Sequence, residues 1–495
     1  MPPSPPLSPW LLHGYQALER GDSGAAERHF RQALLLRQGE PHALQGLALA
    51  LIRQHRRAEA RPVLEQAAAA LPKDAGCAAN LGALLIELGD PAAAESPLRR
   101  ATRLDPEFAP AWNNLGRALM HLDRLDEAET VLRRALTRAP TYGECRQNWR
   151  DTQDVRLHRL EEQGRYRTAV DEATKALAVD PDWPRLRYFR ACNLLRLGRF
   201  DLGWTDYVVE YDDVVRFDLP RWQGEALPPG DRLMVRAEQG IGEQVMLARL
   251  LAAAQARAPE VVLECDRRLV PLFARSFPTV TCVGWTAPPD PALGDSRIRR
   301  QIPLGRLSRL FLPDFAAFGD GAAYLTADCA QVAQRRRVYG ADKPVIGLSW
   351  HSGRSPIAQR KAVPLAALRP LLTGLNARFL VLQYEPPAED IAEMRGWGLD
   401  LIEDPSLDPM TELDGFAAAI RACDHVLTIS NATAHFAGAL GVPASVLLGT
   451  LPLWHWFVDR ADSPWYASLR LYHRRHGEEW DAVVDRVTAE LARRP

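Results

Sequence analysis

A period of 34 residues runs through the first third of the chain and limits the folds open to it. Small alanines recur at this spacing in two columns, and a third column carries larger apolar side chains. The columns are Ala26, Ala60, Ala94 and Ala128; Ala33, Ala67, Ala101 and Ala135; and Phe30, Leu64, Leu98 and Leu132. Small residues at fixed positions let two antiparallel helices touch, so the period predicts a stack of helix pairs.

This spacing resembles the tetratricopeptide repeat, because Pro72, Pro106 and Pro140 also close three of the units. A fifth unit fits after an insertion of seven residues, with Ala169, Ala176 and Pro181 in place. A sixth, residues 187–207, has lost the alanine columns and is predicted to be a cap. Such arrays form a curved solenoid whose concave face offers a groove for a protein segment. A spacer or a dimerisation arm is the alternative.

The pattern changes after residue 212. Residues 213–232 are punctuated by proline and glycine and are predicted to be a linker. Apolar runs then alternate with helical patterns in two blocks, 233–342 and 343–495, with a less regular stretch from about 285 to 342. This alternation predicts parallel sheets covered on both faces, in two Rossmann-like halves with a cleft between them. The predicted fold is therefore multidomain, an all-α solenoid at residues 1–212 followed by an α/β region.

Composition excludes several classes of protein. The chain has 61 basic and 62 acidic residues, so its net charge of −1 gives no general attraction to nucleic acid or to an anionic membrane. Seven cysteines without a CxxC pair argue against a disulfide framework or a zinc site. The start, "MPPSPPLSPW", does not have the pattern of a signal peptide, and no apolar run approaches membrane-spanning length. We expect a cytoplasmic protein without membrane insertion.

A first candidate site lies in "AEQGIGEQ", residues 237–244. Gly240 and Gly242 follow a predicted strand and precede a helix, where glycine lets backbone N–H groups approach a ligand. Glu243 has two interpretations. It is a carboxylate of the first helical turn, stabilised by the helix dipole, or it is a general base.

A second candidate site is "WHSGRSPIAQRKAVPL", residues 350–365, after another predicted strand. Cations accompany a turn of small residues here, a combination that suits a phosphate or diphosphate. The residues are Ser352, Gly353, Arg354, Arg360 and Lys361. A solvated basic loop is the alternative. At the end of the next strand, Gln383 and Tyr384 are candidates for contact with a nucleotide base.

A third candidate site is "SNATAHFAGALG", where the strand "DHVLTI" ends. Ser430 or Asn431 can cap the next helix, which leaves the N–H groups at 431–434 for an anion. Thr433 and His435 can add side-chain donors. The alternative is that Ala432 and its small neighbours serve only to pack the helix tightly on the sheet.

Taken together, these stretches resemble the GT-B nucleotide-sugar glycosyltransferases related to bacterial heptosyltransferases and to the protein O-GlcNAc transferase. The likeness is closer to bacterial repeat-containing glycosyltransferases, including those that modify flagellin. The matching motifs are "EQGIGE" for EQGxGD, "SNATAHFAGALG" for DTxxAHLAGALG and "KAVPL" for RSIPL, together with "LPLWHWF" and "SPWY".

The resemblance implies a metal-independent, inverting transfer of a sugar to Ser or Thr of a protein held by the repeats, with flagellin as one candidate acceptor. Glu243 would be the base, while Ser352, Arg360, Lys361 and the helix start at Asn431–Thr433 would stabilise the leaving nucleotide. The nucleotide sugar would be a co-substrate, with no further cofactor. A CMP-activated nonulosonic acid and a UDP-N-acetylhexosamine are both candidates.

The chain departs from the motifs at acidic positions. Glu243 replaces an aspartate, and Ser430 and Asn431 replace an aspartate and a threonine. These departures suggest a different donor or weakened catalysis. They also motivate the alternative of a non-catalytic repeat scaffold, or a chaperone-like binding protein, with a degenerate second region.

Overall fold

The computed structural model describes residues 9–207, 217–340, 342–352 and 361–492. The chain divides into two compact units, residues 1–159 and 160–495. Among the described residues, no helix combines the length and the apolar character needed to cross a membrane.

Helices in antiparallel pairs make up the first unit, as the 34-residue period predicts. They are α1 (Pro9–Glu19), α2 (Ser23–Leu36), α3 (Pro41–Arg53), α4 (Arg57–Ala70), α5 (Ala75–Glu87), α6 (Pro91–Leu104), α7 (Ala109–His121), α8 (Leu125–Arg138) and α9 (Gly143–Glu162).

The three periodic columns form the contact within each helix pair. The alanines at 26, 60, 94 and 128 are all 0% exposed, so each is enclosed where its second helix begins. A Cβ at Gly82 of α5 would lie 2.3 Å from Cγ of Leu98, and one at Gly116 of α7 would lie 2.4 Å from Leu132. Only glycine allows so close an approach. The predicted tetratricopeptide solenoid is confirmed.

The seven inserted residues of the fifth unit lengthen its first helix. Helix α9 has 20 residues, whereas α7 has 13. The remaining repeat helices are α10 (Tyr166–Val179), α11 (Pro184–Arg196) and α12 (Phe200–Asp206), and they belong to the second unit. The 34-residue repeat thus continues beyond residue 159, where the first compact unit ends. The domain boundaries drawn from the period stay a prediction.

Side chains of these last helices hold them to the α/β region. The Tyr166 hydroxyl donates to the Thr450 carbonyl at 3.0 Å, and the Trp204 indole donates to the Leu312 carbonyl at 2.7 Å. The described part of the predicted linker also packs there. Trp222 is 1% exposed, and its backbone N–H donates to the Gln301 carbonyl at 2.8 Å.

The first sheet has four parallel strands in the order β3-β2-β1-β4. The strands are β1 (Arg232–Arg236), β2 (Glu260–Cys265), β3 (Val280–Gly284) and β4 (Ile298–Pro303). Its helices are α13 (Ile241–Leu247), α14 (Leu251–Gln255), α15 (Val270–Ser276) and α16 (Leu307–Phe311). The next helix, α17 (Cys329–Tyr339), packs instead on the second half, where Arg336 pairs with Asp424 at 2.6 Å.

Strand β4 corrects the sequence analysis, which treated this stretch as irregular. β4 is the last named strand on its side of the sheet, with one further bridge from Gln301 to Arg221, and its arginines at 299 and 300 are not enclosed. Because one face of β4 is partly exposed, its sequence lacks the continuous apolar run found in the other strands.

The second sheet has seven strands in the order β10-β11-β9-β8-β5-β6-β7, and only β10 is antiparallel to its neighbour. The strands are β5 (Val345–Ser349), β6 (Arg378–Val381), β7 (Asp400–Ile402), β8 (His425–Ile429), β9 (Ala444–Leu448), β10 (Asp462–Ser463) and β11 (Tyr466–His473). Its helices are α18 (Leu365–Gly374), α19 (Ala388–Gly396), α20 (Leu413–Arg421), α21 (Ala432–Ala439) and α22 (Trp480–Leu491).

Burial along the central strands shows that the second sheet is covered on both faces. Every residue of β5, β8 and β9 is buried. The chain builds outward from β5 to β6 and β7, then crosses to β8 on the other side of β5. It makes the same reversal in the first sheet, from β1 through β2 and β3 to β4. Such reversals open a crevice at the carboxyl ends of the strands, where ligands bind in folds of this class.

Candidate functional site

Glu238 fills the crevice of the first sheet. It follows β1, and its carboxylate accepts hydrogen bonds from the N–H groups of Leu304 and Gly305, each at 3.0 Å. These two residues begin a short 3₁₀ helix after β4. Burial raises the pKa of Glu238 to about 7, although both N–H bonds favour the charged form. The side chain of Glu238 therefore binds the backbone N–H groups at the point where the strand order of the first sheet reverses.

Helix α13 begins directly after this point. Gly240 is its N-cap residue, and Gly242 lies inside its first turn rather than before it. A Cβ at Gly240 would lie 3.0 Å from Oε2 of Glu243, so the carboxylate of Glu243 folds back over the start of its own helix. Glu243 is only half-buried, which leaves it accessible at the edge of the crevice.

Gly242 brings the two sheets together. A Cβ there would lie 2.9 Å from Cδ2 of His435 and 3.6 Å from Cα of Ala432, so any larger residue would separate the helices. Helix α13 follows a strand of the first sheet and α21 a strand of the second. The first and third candidate sites are therefore adjacent in space.

Lys361 joins the same group. Burial lowers the pKa of its ammonium group, and the nearby carboxylate of Glu243 opposes that shift. Lys361 in turn contributes to lowering the pKa of His435, after the larger effect of burial. The second candidate site thus contributes a partly desolvated cation within electrostatic reach of Glu243 and His435.

The start of α21 differs from the sequence analysis in its hydrogen bonds. Asn431 is the N-cap residue, but its side chain forms no capping bond. Its amide instead donates to Ser349 Oγ at 2.7 Å and accepts from Thr428 Oγ1 at 3.0 Å. Ser430 Oγ accepts from the Trp456 indole at 2.8 Å. Both polar side chains therefore brace the strand ends instead of capping the helix.

The backbone amides at this helix start are also partly used. The N–H of Asn431 donates to Ile429, and that of Ala434 donates to Asn431. Among the described residues, Ala432 and Thr433 are the positions of the predicted 431–434 group whose N–H groups have no acceptor. The predicted anion site is therefore narrower, with two amides instead of four.

His435 is buried and neutral. Its Nδ1 lies 3.0 Å from the Tyr466 hydroxyl, and its ring stacks on Trp456 with centroids 4.9 Å apart. Burial, with Lys361 nearby, lowers the pKa of His435 to about 3. It packs as a structural histidine and also forms one wall of the junction with α13.

His455 is the residue that the sequence analysis missed at this junction. Its ring lies 4.9 Å from that of His435, and it is 1% exposed. Burial lowers the pKa of His455 well below its usual value, so the ring is neutral. Among the described residues, neither of its ring nitrogens has a hydrogen-bond partner. A buried polar group left without partners is costly.

Backbone strain accompanies His455. Phe457, two residues later, is 1% exposed and has φ of 57° and ψ of −172°, a conformation that side chains other than glycine rarely adopt. The segment lies within "LPLWHWF", which the family resemblance had already marked. That resemblance was the available signal, since a tryptophan-rich run by itself predicts only core packing.

Gln383 is a bracing residue. Its Oε1 accepts hydrogen bonds from the N–H groups of Trp350 and His351, both at 3.0 Å, and from Ser349 Oγ at 3.2 Å. Its Nε2 donates to the Tyr384 carbonyl at 3.0 Å. Gln383 is 6% exposed and therefore fastens the end of β5 to the end of β6.

A cavity of about 890 Å³ opens beside this brace, at the carboxyl ends of β5 and β6. Ser352 and Tyr384 both line it, as the sequence analysis expects of a ligand site, and so does Ala362, next to Lys361. Glu385, also in the lining, has a φ of 41°, which marks local strain in this loop. The volume lies within the range of small-molecule sites.

Three predicted positions lie outside the described residues: Gly353, Arg354 and Arg360. Among the residues that are described, no group of three His, Cys, Asp or Glu side chains is arranged to hold a metal ion. Independence from metal stays a prediction.

Comparison with known proteins identifies the first part of the chain. The tetratricopeptide repeat family model matches residues 11–75 and 80–143. A curated protein, Protein FlbA of Caulobacter vibrioides, is 30% identical over 347 residues, which cover 65% of this chain and 57% of FlbA. The chain thus spans 57% of the length of that relative.

Solved structures match over about a third of the chain. YrrB, a tetratricopeptide protein with an unusual peptide-binding site, is 22% identical over 35% of this chain and 87% of its own, with a TM-score of 0.30. TTC0263, a tetratricopeptide protein of Thermus thermophilus, is 26% identical over 38% and 97% of the two chains, with a TM-score of 0.26. MamA is 20% identical over 34% and 94%, with a TM-score of 0.29.

Proposed function

We propose that this chain is a protein glycosyltransferase of the GT-B type, which moves a sugar from a nucleotide donor to a Ser or Thr hydroxyl of a protein segment. One observation carries the proposal. His435 and the unpartnered His455 lie in contact where the two sheets approach each other through Gly242, and Lys361 is within electrostatic reach of both Glu243 and His435.

The reaction needs one base and one source of positive charge. The acceptor hydroxyl attacks the anomeric carbon while the bond from that carbon to the donor phosphate breaks, which inverts the configuration. The hydroxyl proton passes to Glu243, whose carboxylate is accessible. Negative charge that develops on the departing phosphate is stabilised by the Lys361 ammonium and by the free amides of Ala432 and Thr433. No metal ion and no further cofactor is part of this scheme.

The donor occupies the second sheet in this proposal. Its nucleotide lies in the 890 Å³ cavity beside Tyr384, and its phosphates extend past Ala362 to Lys361. His455 is 1% exposed and neutral, so in this proposal it supports His435 at the junction and does not contact the sugar. Both a CMP-nonulosonic acid and a UDP-N-acetylhexosamine suit this arrangement.

The repeats supply the acceptor. Tetratricopeptide arrays bind protein segments, and the last repeat helices of this chain reach the site. Tyr207, directly after α12, is 7% exposed and lies within electrostatic reach of Glu243. A segment held by the repeats is thereby delivered to the base. Flagellin is the acceptor class that the family resemblance favours. A cytoplasmic location is part of the proposal, and all seven cysteines have free thiols.

The decisive experiment combines donor binding with transfer. Thermal unfolding is recorded with a panel of nucleotide sugars, and the stabilising donor is then incubated with a candidate acceptor for intact-mass analysis. We expect one donor to raise Tm by mass action and to add one sugar mass to the acceptor. Lys361→Ala should lose the Tm shift, whereas the matched control Lys73→Ala, on the exposed surface of the repeats, should keep it.

Glu243→Ala separates chemistry from binding. It should retain the donor-induced Tm shift and lose at least a hundredfold in transfer rate, because only the base is removed. Transfer at the wild-type rate by Glu243→Ala would exclude this residue as the base. A panel in which no donor shifts Tm would reject the transferase.

A non-catalytic repeat scaffold is the second candidate. The observation in its favour is that Ser430 and Asn431, which replace acidic and hydroxyl residues of the motif, are bonded inside the protein to Trp456, Ser349 and Thr428. In that case the acceptor binds to the repeats without any change in mass, with or without donor.

A further inference from the structure

A second cavity, of about 430 Å³, lies at the carboxyl ends of β9 and β11. Its other wall is the turn between α9 and α10, from the repeat part of the chain. Other residues line the cavity proposed for the donor, so the two are separate sites. The ionisable residues in the lining are Arg165, Arg167, Asp459, His473, Arg474, Arg475 and His476.

Positive charge dominates this cavity. Four arginines and one aspartate line it, with two arginines on each wall. Among the described residues, no carboxylate forms an ion pair with Arg165 or Arg167, while Glu478, which accepts a hydrogen bond from the Arg475 backbone N–H at 2.8 Å, is within electrostatic reach of Arg475. Like charges gathered at one cavity repel each other, and an anion between them would offset that repulsion. Guanidinium groups also match the paired oxygens of phosphate.

The walls are held in place by bonds to the protein interior. The Tyr166 hydroxyl donates to the Thr450 carbonyl at 3.0 Å, and Arg196 Nε donates to the Pro452 carbonyl at 3.0 Å. Arg196 is itself fixed by a buried ion pair with Glu161 at 2.8 Å. These contacts fix the repeat wall relative to the strand ends, so the cavity is preformed.

Two buried polar atoms in the lining lack partners among the described residues, Nε2 of His473 and Nε of Arg474. Burial lowers the pKa of His473 to about 4, so its ring is neutral at physiological pH and offers a hydrogen bond rather than a charge. Unsatisfied buried groups beside unpaired arginines suggest a ligand that carries acceptor oxygens.

We infer that this cavity binds a small molecule through a phosphate or diphosphate group, held between Arg165 and Arg167 on one wall and Arg474 and Arg475 on the other. The volume is sufficient for a sugar phosphate or a nucleotide. The inference does not depend on the transferase proposal.

Calorimetric titration with inorganic pyrophosphate tests it. The full chain should bind pyrophosphate, and the double variant Arg165→Gln, Arg475→Gln should bind at least tenfold more weakly, because two exposed guanidinium groups are lost. Arg20→Gln with Arg28→Gln removes the same charge from exposed positions of the first unit and should stay within twofold of wild type. Titrations with uridine diphosphate and glucose 1-phosphate then distinguish a nucleotide from a sugar phosphate as the source.

Lys361→Ala separates this site from the proposed donor site. Pyrophosphate binding that survives Lys361→Ala and disappears in the double variant supports the inference, even if no nucleotide sugar binds. Binding lost in Lys361→Ala but unchanged in the double variant overturns it, as does an absence of heat with wild type at millimolar pyrophosphate. If circular dichroism shows that the double variant is unfolded, Arg475→Gln alone replaces it, with the same expected direction.

Discussion

The two sheets differ in the side chains that bind backbone amides at the carboxyl ends of their strands. In the first sheet a carboxylate, Glu238, enters the crevice and takes up the amides of Leu304 and Gly305. In the second sheet a neutral amide, Gln383, binds the amides at the end of β5, and a large cavity stays open beside it. The reversal point of the second sheet, between β5 and β8, is bridged by the hydrogen bond from Asn431 to Ser349, and the open cavity lies one strand away, at the ends of β5 and β6.

This difference indicates which half holds the anionic ligand. Glu238 in the first crevice occupies the backbone donors that a phosphate would need. In the second sheet the cavity lining carries the carboxylates of Glu385, Glu389 and Asp390, and the cation that a phosphate would need is the partly desolvated Lys361, next to that lining. The first sheet then contributes only Glu243, at the rim. Three substitutions test this division, beginning with the largest expected effect.

Removing the brace of the second sheet should cost the most. Gln383→Ala leaves the buried amides of Trp350 and His351 without their acceptor, so we expect the free energy of unfolding to fall by about 3 kcal/mol. Urea unfolding measures the loss, and hydrogen exchange should show faster exchange at those two amides. Gln255→Ala, which removes a single exposed bond to Thr279, is the control and should change stability by less than about 0.5 kcal/mol. Unchanged protection of the β5 end would show that Gln383 is not a brace.

The contacts of Gln383 also show which features of the structure cannot be predicted from the sequence. The repeats were predictable because their contacts are local and recur every 34 residues. The buried strands β5, β8 and β9 were predictable from continuous apolar runs. Strands β4 and β11 were not predicted because some of their residues are exposed, which interrupts the apolar run. In β11, for example, exposed and half-buried positions lie between the buried ones.

Side-chain partners were the least predictable feature. Glu238 and Glu243 lie five positions apart in one motif, and only the three-dimensional path of β4 shows that Glu238 faces amides while Glu243 is within electrostatic reach of Lys361. In the same way, the sequence predicted that Gln383 contacts the ligand. In the structure its Oε1 instead accepts hydrogen bonds from the N–H groups of Trp350 and His351 at the end of β5.

The Glu238 carboxyl of the first sheet should titrate. Because its pKa is raised to about 7, Glu238 holds its proton to higher pH in the folded protein than in the unfolded chain. Its contribution to stability is therefore complete below about pH 4.5 and is lost as pH rises through about 7, by roughly 2 to 3 kcal/mol. Glu238→Gln cannot titrate, so its Tm should fall less than that of wild type between pH 5 and pH 8.

A matched carboxylate provides the control for this profile. Glu19→Gln, at an exposed position of α1, should follow the wild-type curve. If the Tm of wild type and of Glu238→Gln changes equally with pH, Glu238 is already ionised at pH 5. The two sheets would then differ only in the charge of the side chain that binds the backbone amides, Glu238 in the first and Gln383 in the second.

The smallest effect on stability should accompany a specific effect on binding. Tyr384 and Trp285 are each 38% exposed and follow strands of the second and first sheet respectively. Replacing either by alanine should change the free energy of unfolding by less than about 0.5 kcal/mol. If the second sheet holds the nucleotide, Tyr384→Ala should weaken donor binding about tenfold through lost stacking, with Tyr384→Phe close to wild type and Trp285→Ala unaffected. Calorimetry with the stabilising donor measures all three, and a loss with Trp285→Ala instead of Tyr384→Ala would move the nucleotide to the first sheet, since an aromatic platform acts only where the base lies.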